Sequence, residues 1–92
     1  MSLPYQEYSL MNGDTIRKFS KGIDESELVW HRDRTTRSIT VEKSGGWLLQ
    51  IDNELPVKLI DGSVYTIEEM TYHRIIKGDD DLIIRLRESL LI

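Results

Sequence analysis

The sequence predicts a small all-β domain, a barrel or jelly roll of mostly antiparallel strands, and three observations predict it. Across residues 27–87 turn signals recur at the roughly 8–12-residue spacing of a β sandwich or barrel. The stretches between them alternate apolar and polar residues with the period of two that a half-buried strand requires. Helical periodicity is not evident in that span.

Taken in order, residues 28–33 alternate, with Val29, His31 and Asp33 on one face and Leu28, Trp30 and Arg32 on the other. Residues 37–42 form a second strand with Ile39 and Val41 apolar. Ser44, Gly45 and Gly46 make a hairpin turn into a strand over 47–52, whose apolar face is Trp47, Leu49 and Ile51. A loop over 53–56 leads to a short strand at 57–60, and Asp61-Gly62 is a turn of the kind that supplies positive φ. Strands over 63–67, 71–76 and 82–87 follow, the last two joined by the polar turn Lys77-Gly78-Asp79-Asp80. In the first 26 residues, Asn12-Gly13-Asp14 reads as a turn, 15–20 as a strand and 22–26 as a loop. The chain is expected to be one domain over 1–92, with a core at 27–87 and an N-terminal extension at 1–26.

Composition narrows the function. Ninety-two residues leave room for one core and one pocket. With 39% hydrophobic and 30% charged residues the chain is typical of a soluble globular protein. No apolar run approaches the ~20 residues that span a bilayer, and no basic-then-apolar leader opens the sequence. The expectation is a cytoplasmic protein without a membrane partner. Cysteine is absent, which excludes disulfides, thiolate ligands and a cysteine nucleophile, so any metal must use histidine, carboxylate or water. A net charge of -4 argues against nucleic acid as a partner.

One constellation can carry chemistry. His31-Arg32-Asp33 places an imidazole and a carboxylate two residues apart on a strand, hence on one face and roughly 6.5 Å apart along the backbone, a span that one ion can bridge. His73, on a later strand, supplies a third donor. Two histidines and one carboxylate make the facial triad of non-haem Fe(II) sites, so a divalent metal is expected, Fe first, with Mn, Ni or Zn fitting similar ligands.

This spacing resembles the cupin family. Cupins carry a first motif with two histidines one residue apart, a glutamate a few residues on and then a glycine, and a second motif that runs from a glycine to a histidine. Here His31 takes the first histidine position and Asp33 the second, Arg37 or Ser38 falls at the glutamate, and Gly45 ends the motif. Gly62 opens the second motif and His73 closes it, with Glu68 and Met70 at its proline and glycine and Lys77 at its asparagine. The resemblance covers about 27–87 and implies a small cupin-type jelly-roll barrel, the double-stranded β-helix, with metal ligands His31, Asp33 and His73. The His-X-Asp...His pattern is also similar to the iron(II)/2-oxoglutarate oxygenases, which share that core. In them a basic residue of the last strand binds the 2-oxoglutarate carboxylate, and Arg85 matches it, with Arg87 second.

Arg85, Gln50 and Trp30 are accordingly the candidate substrate-binding residues, for a small polar molecule handled by a non-haem oxygenase or isomerase. Plainer readings stand beside these. Asp33 could pair with Arg32, Arg34 or Arg85. The arginines at 32, 34 and 37 read as a solvated face, and both tryptophans read as core. The alternative function is a metal-free, non-catalytic cupin-like module for binding or assembly. Leu90, Leu91 and Ile92 form an apolar chain end whose docking on a second subunit leads to the expectation of a homodimer, with the N-terminal segment as an exchanged or edge-covering strand.

Overall fold

The computed structural model describes residues 3–89. Eight strands form two antiparallel sheets: β1 (Gln6–Ser9), β2 (Thr15–Phe19), β3 (Thr36–Lys43), β4 (Leu48–Ile51), β5 (Val57–Lys58), β6 (Val64–Ile67), β7 (His73–Ile76) and β8 (Leu82–Ser89). Five strands lie in the order β1-β2-β8-β3-β6 and three in the order β5-β4-β7. The strands expected from 37–42 through 82–87 are all present within a few residues of those bounds.

One apolar core lies between the sheets because period-two alternation turns one face of each inward. Phe19 of β2, Ile39 and Val41 of β3, Ile67 of β6, and Leu82, Ile84 and Leu86 of β8 meet Leu49 of β4, with Trp47 and Leu59 from the flanking turns. Trp47 is 0% exposed. Its indole Nε1–H donates to the Asp80 carbonyl at 2.6 Å, which satisfies the one polar atom that burial would otherwise strand.

That contact crosses a close junction between the turn after β3 and the turn after β7. A Cβ on Gly78 would come within 2.4 Å of the Gly45 carbonyl oxygen, and one on Gly45 within 2.3 Å of the Asp81 carbonyl oxygen. Gly45 also holds a φ of +58°. Only glycine meets both demands, and the junction ties the two sheets together at this end.

The N-terminal segment covers a sheet edge, as one of its two expected roles, since β1 and β2 form a hairpin and β2 pairs with β8 from Thr15↔Leu86 to Phe19↔Leu82. One expectation is corrected. Residues 28–33 are not a strand. A short 3-10 turn occupies Glu25–Glu27, and the chain then meets β7 only through an isolated bridge, His31↔His73. The ladder stops there because the Asp33 carbonyl is taken by the Met70 N–H, at 2.7 Å, in the loop before β7. The apolar C-terminal residues 90–92 lie outside the described residues.

Candidate metal centre

Alternation survives in 28–33 although the strand does not. Val29, His31 and Asp33 line a cavity of about 310 Å³ between the sheets, as expected, and Leu28 lines it too, contrary to its expected outward face. Trp30 and Arg32 turn the other way. Trp30 is 41% exposed and lies under the Arg74 guanidinium at 4.8 Å, so it is not core. Arg32 covers Tyr72 at 5.1 Å.

The bridge between His31 and His73 is reciprocal. His31 N–H donates to His73 O at 3.0 Å and His73 N–H to His31 O at 2.9 Å. This pairing brings the imidazoles to 4.3 Å between ring centroids. Each ring is oriented in the same way: Nδ1 lies 2.9 Å from a carbonyl oxygen two residues earlier, Val29 for His31 and Thr71 for His73. A carbonyl oxygen can only accept, so Nδ1 carries the proton in both rings. In the neutral imidazoles Nε2 is then a free lone pair, the arrangement by which backbone partners prepare a histidine to ligate.

Asp33 completes the group. His31, Asp33 and His73 each offer a ligand atom within 4.8 Å of the others. His73 Nε2 and Asp33 Oδ2 are 3.3 Å apart, close to the ~3 Å between neighbouring ligands on an ion bound at roughly 2.1 Å. His73 is 5% exposed, and burial pushes its pKa down; the Thr71 carbonyl opposes this, His31 and Arg37 reinforce it, and Asp33 opposes it. With Nδ1 carrying the proton of the neutral ring, the Nε2 lone pair faces an Asp33 oxygen. Among the described residues Asp33 Oδ2 is itself buried without a hydrogen-bond donor, with the Arg37 guanidinium 3.4 Å away as an ion-pair partner. Two acceptors held together call for a cation, and the donor set fits a divalent metal: two imidazole nitrogens and one carboxylate, with the cavity on the open side.

The remaining candidates lie elsewhere. Arg85 does not face the cavity, because on β8 the inward positions are Leu82, Ile84 and Leu86. Its Nε donates to Asp14 Oδ2 at 2.7 Å, and Arg87 donates to both oxygens of the same carboxylate at 2.9 and 3.0 Å. Asp14 is 3% exposed, and these arginines, Arg87 first and Arg85 second, hold its pKa well below the ordinary carboxylate range. The two arginines thus fasten the β1–β2 turn to the barrel. Gln50 is also outside the cavity: its Oε1 accepts from Arg74 Nε at 2.9 Å and its Nε2 donates to the Glu54 carbonyl at 3.1 Å.

The basic residue that does line the cavity beside the ligand group is Arg37. Its Nη1 is 3.4 Å from Asp33 Oδ2 and its Nη2 is 3.0 Å from Glu88 Oε1. It is no part of a solvated face. The signal was present in the sequence, because Arg37 shares its strand parity with Ile39 and Val41, both buried. Arg17 lines the cavity as well, but it pairs with Glu7 at 3.1 Å and stacks on Tyr5 at 4.2 Å.

No protein-family model matches the chain, and no curated protein matches it. Solved structures do. A Streptococcus pyogenes protein of unknown function superposes with a TM-score of 0.74 at 16% identity, covering 100% of this chain and 79% of that one. An RmlC-like cupin with a double-stranded β-helix fold from Methanocaldococcus jannaschii gives 0.71 at 13% identity, covering 96% and 82%. A cupin domain from Bordetella pertussis gives 0.64 at 19% identity, covering 98% and 99%. A structure described as that of DMSP lyases gives 0.70 at 16% identity; this chain spans only 44% of that one. Sheets of five and three antiparallel strands around one core, superposing on these proteins over nearly the whole chain, give this protein the cupin fold, the double-stranded β-helix.

Proposed function

We propose that this protein is a small metal-binding cupin whose His31, Asp33 and His73 hold a divalent ion and act on a small organic molecule in the adjoining cavity. The observation that carries this is the buried Asp33 Oδ2, without a hydrogen-bond donor among the described residues, at 3.3 Å from His73 Nε2. A bound ion would supply Lewis acidity at the open side of the triad. The chain's own residues orient the ligands through the Val29 and Thr71 carbonyls, and Leu49, Ile67, Ile75 and Ile84 give the cavity an apolar wall. Iron is the first expectation from the ligand set, with Mn, Ni and Zn as alternatives. A role for 2-oxoglutarate has lost its anchor, because Arg85 is committed to Asp14.

A second reading has its own support. Arg37 at 3.4 Å offers Asp33 a counter-charge without any metal, as a non-catalytic binding module would need. A homodimer is also proposed, from the exposed Val64 on the edge strand β6 and the exposed Val57 on the edge strand β5. The test of function is elemental analysis of protein purified without chelator or metal-affinity tag, beside His73→Ala and Asp33→Ala. Near-stoichiometric metal lost in both variants supports the site. Absence of metal after reconstitution with Fe(II), Mn(II), Ni(II) and Zn(II) refutes it in favour of the module.

A further inference from the structure

The cavity and its charges describe a ligand. At about 310 Å³ it stands at the small end of ligand pockets, which run roughly 300–1,000 Å³. Its walls are mainly apolar, from Ile39, Leu49, Ile67, Ile75, Ile84 and Leu86. At one end Arg37 stands beside Asp33 and His73, and the other charged residues of the lining are Arg17 and Glu27. A ligand that fits is therefore short, apolar in its body and polar at one tip.

Arg37 sets the sign of that tip. Its Nη2 is fixed by Glu88, its partner across the β3–β8 ladder. The 3.4 Å contact with Asp33 is long beside the ~2.7–2.9 Å of a charge-assisted hydrogen bond. Its Nε is buried and has no hydrogen-bond partner among the described residues, a deficit that calls for an explanation in a folded protein. The guanidinium is thus held in place but incompletely paired. Two further residues of the lining are charged: Arg17, which is paired with Glu7, and Glu27. A divalent ion on the triad would leave this end positive, since the only ligand charge is that of Asp33. Arg37 and Ser38 are the two residues that fall where the cupin motif has its glutamate, so the motif's negative charge is missing from this site.

We propose that the cavity is a carboxylate site, in which Arg37 anchors the head of a short organic acid next to the metal triad and the apolar wall receives its body. The proposal rests on the metal reading for its excess of positive charge, while the guanidinium fork itself matches a carboxylate in shape.

The experiment compares hexanoate with its neutral isostere hexanamide by NMR titration of the Zn(II)-loaded protein, following backbone amides of β3, β7 and β8 and the Arg37 Nε–H. Zinc content is measured separately. Hexanoate is expected to bind at least about tenfold more tightly than hexanamide and to shift the Arg37 Nε–H. Arg37→Gln should abolish the preference, while Arg37→Lys, which keeps charge without the fork, should retain part of it. Equal binding of acid and amide by wild type, or no binding of either, overturns the proposal whether or not the variants fold. If zinc is taken up and the preference is absent, the carboxylate site falls and the metal site stands. If zinc is not taken up, the metal reading falls. An Arg37-dependent preference for hexanoate in the metal-free protein would then sustain the carboxylate site, and its absence would overturn it.

Discussion

Replacing Asp33 by asparagine should separate metal binding from structure, because the two make opposite demands on one oxygen. A divalent ion needs the anionic Oδ2. The metal-free fold does not, since Oδ2 has no hydrogen-bond donor among the described residues and faces His73 Nε2 at 3.3 Å, in a ring whose burial favours the neutral form. The asparagine amide would put an N–H into that gap and gain a hydrogen bond of about 1 kcal/mol. It would lose the 3.4 Å ion pair with Arg37, both partners partly exposed, which contributes about 0–1 kcal/mol. Metal-free Asp33→Asn is therefore expected within about 1 kcal/mol of wild type.

The metal-loaded comparison differs sharply. Ion present at 100 times its dissociation constant adds about 2.7 kcal/mol to wild type. In a chain this short that raises Tm by about 10–20 °C, at roughly 4–8 °C per kcal/mol. Each further tenfold in free metal adds about 5–10 °C. The assay is thermal unfolding by circular dichroism with and without each of Fe(II), Mn(II), Ni(II) and Zn(II), on chelator-treated protein. The expected result is a large metal-dependent rise in wild type, absent in Asp33→Asn, at nearly equal metal-free Tm. A metal-free loss of about 3 kcal/mol or more in the variant, with no metal response in wild type, would refute the reasoning. Such a loss is what breaking a required buried ion pair produces, and Asp33 would then be structural.

Two other outcomes follow from contacts away from the site. Asp14 titrates below the ordinary carboxylate value of 3.8 because Arg87 and Arg85 bind its charged form. Its contribution to stability is thus complete above that value and is lost as pH falls through and below it. Asp14→Asn should be less stable than wild type at neutral pH and should lose less on acidification below about pH 4, measured by urea unfolding across pH; parallel curves would contradict the pairing. Some slope should persist, as Asp24, Asp61 and Asp80 are shifted the same way. Met70 holds a φ of +61°, which disfavours a side chain by roughly 1–2 kcal/mol, so Met70→Gly should be neutral or stabilising by up to about 1 kcal/mol, and Met70→Val destabilising. Equal midpoints for both variants in chemical denaturation would argue against strain at this residue.

The alternation of residues 37–42, 47–52 and 82–87 made the strands legible, because a face that must be buried leaves a period of two whatever its partner. The triad was legible for a different reason: His31 and Asp33 lie on one side of the chain even though their segment makes only a single bridge. Extended backbone alternates its side chains with or without a ladder, so the facing was right while the strand was not. Arg85 misled because its strand register was read without its parity. With Ile84 and Leu86 inward, Arg85 had to face out, and Asp14, seventy-one residues away, could not be known as its partner. Strand β1 was missed because Gln6–Ser9 is exposed throughout and has no apolar face to give it away. Met70, at the glycine position of the cupin motif, shows the converse: the left-handed turn is kept without the residue that makes it easy.

The single bridge between His31 and His73 has a consequence for the rate at which an ion is exchanged. His73 belongs to a sheet, while His31 and Asp33 sit on a segment held by that bridge and by the Met70–Asp33 hydrogen bond. Besides the side-chain contacts of Trp30, Arg32 and Asp33 with Arg74, Tyr72 and Arg37, only these three backbone hydrogen bonds tie the segment to the described residues around it, and breaking them leaves every strand ladder of the barrel in place. Openings of this size lie at the low end of a protein's free-energy scale, far below global unfolding. An ion held by the triad would therefore be released and reloaded while the barrel stays folded, its lifetime set by this segment more than by the stability of the whole protein.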